Sequence, residues 1–154
     1  MIEECMILAN VCVANLLHSH QYPCVYRIHE KPDPEKVSQI FQAARTMDEV
    51  CAFYPEDVEP RDIQNFLQSI SEEHHQVLSM ISLRAMQKAR YDAKCVGHFG
   101  LALKEYCHFT SPIRRYADLI VHRMLRKYIF QNQASTHIKK DQTKIETQAF
   151  HIFF

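Results

Sequence analysis

The run Tyr106-Cys107-His108-Phe109-Thr110-Ser111-Pro112-Ile113-Arg114-Arg115-Tyr116-Ala117-Asp118-Leu119-Ile120-Val121-His122-Arg123 decides how this chain is read. It joins an aromatic stretch to a helix with a clear start. Ser111, or Thr110, suits the N-cap, Pro112 fits the first helical position, and Ile113, Tyr116, Ala117, Ile120, Met124 and Tyr128 recur at helical spacing. A helix N-terminus presents unpaired amide donors and the positive end of the macrodipole, so it attracts phosphate. Arg114 and Arg115 fall in that first turn, where cations are disfavoured unless an anion or carboxylate compensates. A guanidinium fork matches phosphate oxygens in a bidentate way that lysine cannot. A plainer alternative stays open: Arg114 pairs with Asp118 four residues on, and Arg115 lies in solvent.

Upstream, Gly97–Phe109 reads as an extended segment carrying His98, Phe99, Tyr106, His108 and Phe109, beside the cationic helix end. Cations interleaved with aromatics suit single-stranded nucleic acid, whose phosphates pair with the charges and whose bases stack on the rings. Aromatics in a strand also serve as core, and both readings remain. Gly97 and Gly100 are the only glycines, so neither G-x-x-x-x-G-K-[ST] nor G-x-G-x-x-G exists here, which excludes the glycine-loop route to phosphate.

Further towards the N-terminus, Ile2–His18 reads as a helix, apolar nearly all round and therefore expected to be buried, with Glu3 and Glu4 in its first turn. Cys24–His29 reads as a short strand, and Pro32-Asp33-Pro34 opens a helix to about Ala44. The acidic, proline-bearing stretch Met47–Pro60 reads as a surface connection. Arg61–Ser71 and His75–Ala89 read as amphipathic helices, Tyr91–Val96 as a turn, and Lys139–Phe150 as a last helix before the apolar Ile152-Phe153-Phe154. The expected fold is α+β and helix-rich, with helices around a short or incomplete β-sheet.

Composition places the chain among globular domains, at 154 residues with 47% hydrophobic and 23% charged. Its zero net charge conceals an asymmetry: residues 1–77 hold 5 Lys/Arg against 13 Asp/Glu, and residues 78–154 hold 13 against 5. That split points to an anionic partner for the second half, or to the two halves docking on each other. No basic n-region precedes the first apolar residues and no apolar run reaches the ~18 residues of a membrane span. Six scattered cysteines without a C-x-x-C pair read as reduced core thiols of a cytoplasmic protein. Ten histidines offer no pairs at zinc-finger spacing, and the carboxylates of the basic half, Asp92, Glu105, Asp118, Asp141 and Glu146, are too scattered for a Mg²⁺ cluster, so no metal ligands are expected.

Three blocks carry a family resemblance: Ile2-Glu3-Glu4-Cys5-Met6-Ile7-Leu8-Ala9-Asn10; Tyr26-Arg27-Ile28-His29 with Pro32-Asp33-Pro34; and Gly97-His98-Phe99-Gly100-Leu101 running into Thr110-Ser111-Pro112-Ile113-Arg114-Arg115-Tyr116, Asp118-Leu119 and His122-Arg123. In these the chain resembles the ribonuclease II / ribonuclease R exoribonucleases, in the later part of their RNB catalytic domain. Leu83-Arg84-Ala85-Met86-Gln87-Lys88-Ala89-Arg90-Tyr91 is more similar to bacterial ribonuclease R. The resemblance covers about Met1–Gln131, with a weaker match over 132–154, so that the chain is expected to be the C-terminal part of an RNB domain, truncated at both ends.

The resemblance implies hydrolysis of single-stranded RNA from its 3′ end to nucleoside 5′-monophosphates, with Mg²⁺ held by an aspartate cluster. That cluster lies upstream of the Ile2-Glu3-Glu4 block in the family. The chain alone is therefore expected to hold no Mg²⁺, to be inactive without the missing N-terminal half of the domain, and to risk dimerising through exposed strand edges. The resemblance makes Arg114 the catalytic arginine on the terminal phosphates, supported by Arg115, Ser111 and Thr110. It puts Glu3 or Glu4 at the RNA end, lines the channel with Tyr106, His108 and His29, and leaves His122 and Arg123 structural. A non-catalytic RNA-binding piece and an α-rich structural protein without a ligand are the alternatives.

Overall fold

A computed structural model describes residues 1–131 and 137–152; of Phe150 and His151 only the backbone is described. The apolar Phe153-Phe154 and residues 132–136 lie outside the described residues, as do the Phe150 and His151 side chains of the weaker match. Helices α1 (Ile2–Ser19), α2 (Pro34–Thr46), α3 (Pro60–Ser69), α4 (Glu72–Ala85), α5 (Tyr116–Leu125) and α6 (Ile138–His151) accompany strands β1 (Tyr26–Ile28) and β2 (Arg90–Asp92). The helix-rich α+β expectation holds, and the described sheet is small: β1 and β2 pair antiparallel with Arg27 opposite Tyr91. Tyr91 and Asp92, read from sequence as the start of a turn, lie with Arg90 in a strand. Three residues offer too short an alternation to separate strand from turn.

The chain divides into two compact units. The first comprises Met1–Ile28, Ala89–His98 and Leu103–Phe154; the second comprises His29–Lys88 and Phe99–Ala102. In the first unit Tyr26 also bridges to Cys107 and the Arg27 amide donates to the Tyr106 carbonyl at 2.9 Å, so Tyr106–Cys107 pairs with β1. Around that pairing lie two apolar clusters. One joins Leu17 and Ala14 of α1 to Tyr26, Ile28, Cys107, Val121 and Leu125. The other joins Val25 and Ala93 to Ala117, Ile120 and Ile145. After α5 the chain makes one π turn, Arg126–Phe130, and Tyr128 and Lys127 bind Asp141 of α6.

The second unit packs Val37, Ile40 and Ala44 of α2 against Ile63 and Phe66 of α3 and Leu78 of α4. Pro34 follows an Asp33 N-cap whose carboxylate accepts from the Glu35 amide at 3.0 Å, and α3 starts with a reciprocal Glu59/Asp62 capping box. Met47–Pro60, read from sequence as a surface connection, contributes Phe53 and Val58 to this core.

Three further expectations change. α1 buries only Asn10, Ala14 and Leu17 and exposes Ile2 and Leu8, so it is not buried all round. Its apolar residues outnumber those its packed stripe can cover. All six cysteines are free, but Cys5 and Cys12 are exposed rather than core. Gly97–Phe109 is not one extended strand: His98 and Leu103 bridge across a 3-10 turn at Phe99–Leu101. Among the described residues no helix is long and apolar enough to cross a membrane.

Candidate nucleic-acid interface

The expected N-cap at Ser111 is four residues early. Helix α5 begins at Tyr116, with Arg115 as its cap in an extended conformation (φ −128°, ψ 117°). Ser111–Arg114 instead form a turn with Pro112 at its second position, where the ring presets φ, and the Arg114 and Arg115 amides donate to the Ser111 carbonyl at 3.3 and 3.2 Å. Those amides are therefore committed inside the turn rather than directed at a phosphate. Ile113, expected on the helix's apolar face, is fully exposed in this turn, and Tyr116 is half-exposed.

The reason lies in Asp118. Its wholly buried carboxylate sits in the first turn of α5, where the dipole favours negative charge, and Oδ2 accepts from the Ser111 amide at 2.8 Å and from Arg115 Nη2 at 2.9 Å. The chain thus supplies its own anion to the helix start. The pairing is displaced by one residue from the plain alternative drawn from sequence: Arg115 binds Asp118, and Arg114 is the exposed one. Arg114 has no side-chain partner among the described residues. Arg115 Nε and Asp118 Oδ1, the second leg of the fork, are buried and make no hydrogen bond.

Preceding the turn, Phe109 is held from several directions. Its amide donates to Asn10 Oδ1 at 2.9 Å, its carbonyl accepts from His122 Nε2 at 2.9 Å, and its ring stacks on His122 with centroids 4.1 Å apart. Thr110 gives its amide to the same Asn10 oxygen at 3.2 Å, while its hydroxyl is buried without a partner, out of reach of a phosphate in this conformation. Tyr106 is buried and its hydroxyl accepts from Asn10 Nδ2 at 3.1 Å.

His108 Nδ1 lies 2.8 Å from the Tyr91 hydroxyl, and the Arg27 guanidinium sits over the Tyr91 ring at 4.8 Å. Burial first, then the positive charges of Arg115 and Arg27, push the His108 imidazole down to about 4 against the opposing pull of Asp118. His108 is thus a neutral hydrogen-bonding group. Burial raises the Tyr91 hydroxyl, with Arg27 and Arg115 pulling the other way.

The structure therefore brings together Tyr106, His108, Thr110, Ser111, Arg114 and Arg115, in the first unit. Glu3 and Glu4 are exposed at the start of α1, with Glu4 paired to the terminal amine. Glu3 shares the helical stripe of Asn10, about 10 Å away along the axis. His29 is held in the second unit, where its Nδ1 accepts from the Gly100 amide at 2.9 Å and its carbonyl from the Phe99 amide at 2.8 Å. Sequence reasoning missed Asn10, whose one signal was an amide at helical spacing from the apolar Ala14 and Leu17, and the cross-strand pair Arg27–Tyr91.

The chain matches the RNB domain family over residues 1–131. The chain belongs to the RNB domain family. It is 38% identical over 154 residues to the ribonuclease R of Aquifex aeolicus, covering 92% of this chain and 22% of that protein. Mycoplasma genitalium RNase R, solved in complex with ribose-methylated single-stranded RNA, superposes with a TM-score of 0.85 at 27% identity, covering 99% of this chain and 25% of that one. Yeast Ssd1, a pseudonuclease, shares the fold at a TM-score of 0.73 and 22% identity, covering 98% of this chain and 20% of that one. The chain spans about a fifth of the length of the curated ribonuclease R relatives it matches.

A nuclease family of this kind generally implies a divalent metal. Among the described residues no group of three or more His, Cys, Asp or Glu converges to hold one. Asp118 is taken by Ser111 and Arg115, Asp141 by Lys127 and Tyr128, and Asp92 by Arg90 and the Lys94 amide. The described residues do not fit a metal centre.

Proposed function

We propose that this chain is the later part of an RNB catalytic domain and supplies the phosphate-contacting arginine turn of a ribonuclease R-like exoribonuclease, acting on single-stranded RNA from its 3′ end. The observation that supports this reading is the contrast between the two arginines. Arg115 is consumed by Asp118, while Arg114 stands exposed, with no side-chain partner among the described residues, on a turn whose neighbouring amides are already bonded. A guanidinium so placed needs no rearrangement to accept a terminal phosphate, and in the assembled enzyme it would stabilise charge developing on the scissile group. Two residues further on, the half-exposed Tyr116 ring offers a surface for a base. Metal chemistry would come from carboxylates outside the described residues.

The test is fluorescence anisotropy of a labelled single-stranded oligoadenylate against the chain at rising salt. Arg114→Ala is expected to weaken binding about tenfold and to lower the salt slope by about 0.7, as for one lost phosphate contact on a single strand. Equal affinity and slope for the two proteins would overturn the reading and favour a protein without an RNA ligand at this turn.

A further inference from the structure

We infer that Asn10 is the positioning residue of the arginine turn: from the middle of α1 its side-chain amide fixes the backbone at Phe109–Thr110 and thereby sets where Arg114 stands. The inference rests on the reading of Arg114 as the phosphate contact. Asn10 is the only polar residue of α1 that is buried. A buried amide in an apolar helix is costly unless it is hydrogen-bonded, and here both its oxygen and its nitrogen are. Oδ1 accepts from two successive backbone amides, at 2.9 and 3.2 Å, and Nδ2 donates to the Tyr106 hydroxyl at 3.1 Å. The two amides can only donate, so they fix which end of the carboxamide is oxygen.

Each of these bonds spans nearly a hundred residues of sequence, so one side chain ties the N-terminal helix to the segment entering the turn. A fourth contact reinforces the tie, the Cys107 thiol donating to the Asn10 carbonyl at 3.5 Å. Beyond Thr110 the chain has only Ser111 and Pro112 before the exposed tip, and the Ser111 amide is pinned by Asp118 at 2.8 Å. The entry to the turn therefore stands on two feet: Asn10 grips Phe109–Thr110, which lead into it, and Asp118 grips its first residue, Ser111. Release of the first foot leaves two part-buried amides without their acceptor, and the segment must shift to satisfy them with water.

The experiment is a double-mutant cycle on the full chain, read by anisotropy with the labelled oligoadenylate. Asn10→Ala is expected to weaken binding between about threefold and the full tenfold expected for Arg114→Ala, and the Asn10→Ala/Arg114→Ala pair to bind no more weakly than Arg114→Ala alone. A residue that merely stabilised the fold would give effects that multiply, and multiplication would overturn the inference. Asn10→Asp guards against a simple folding failure: its two oxygens still accept from Phe109 and Thr110 and can accept from the Tyr106 hydroxyl, so it should restore affinity to within about threefold of the parent. Equal losses in the Ala and Asp variants would also overturn it. If Arg114→Ala itself changes nothing, the functional reading fails; if Arg114→Ala weakens binding and Asn10→Ala does not, only the positioning role fails.

Discussion

At the scale of single residues, the two adjacent arginines divide two tasks. Arg115 neutralises a carboxylate with no exposure to water, and a buried carboxylate stripped of its partner is far more costly than a surface pair is worth. Arg115→Ala should therefore lower the unfolding free energy by about 3 kcal/mol in chemical denaturation, whereas Arg114→Ala should change it by less than about 0.5 kcal/mol. His108 gives a pH signature of its own. Its folded value, about 4, lies below the ordinary 6.5, so above pH 6.5 it is neutral in both states and contributes no pH slope. As pH falls from 6.5 towards 4 the unfolded chain takes up the proton first, and stability declines. Melting temperature measured across that window should fall with acid in the parent and fall less in His108→Gln. Parallel curves would contradict the burial of this ring.

At the scale of elements, the sequence disclosed helices better than it disclosed their ends. Asp33-Pro34 marked the start of α2 because cap and proline act locally, and the Asp33 carboxylate does accept from Glu35. Ser111-Pro112 carries the same local signal and is not a helix start. A buried carboxylate at Asp118 captures the Ser111 amide and turns that proline into the corner of a β-turn, which is a tertiary preference no local pattern contains. The candidate arginines were legible from their spacing, but which one is free was not, because the partner's reach decides it. Asn10 was hidden for the same reason: its three bonds all lead to residues about a hundred positions away. Gly97 stood out in the sequence as one of only two glycines, but the backbone it meets did not. It adopts φ +87°, and a Cβ there would lie 3.2 Å from the Leu103 carbonyl oxygen. Gly97→Ala should cost about 1–2 kcal/mol in urea unfolding, the left-handed penalty for an L side chain with some crowding added, and a cost below about 0.5 kcal/mol would show that the His98–Leu103 bridge yields easily.

At the scale of the whole molecule, the charge asymmetry follows the two compact units more meaningfully than the two halves of the sequence. The unit bearing the arginine turn holds 12 Lys/Arg against 7 Asp/Glu, and the other holds 6 against 11. The cationic excess thus belongs to the unit that would meet phosphate. Membership of the RNB family accounts for this fold, and the likeness to a pseudonuclease shows that the fold alone does not carry the chemistry. The claim on which the account turns is that Arg114, and not Arg115, meets the phosphate. The most direct measurement is an NMR titration of isotope-labelled arginine side chains with single-stranded oligoadenylate, the Arg114 signal being assigned by its disappearance in Arg114→Lys. The account requires a saturable shift of the Arg114 Nε–H resonance while that of Arg115 stays close to its free position. An unmoved Arg114 resonance, with saturable shifts at other arginines, would contradict it.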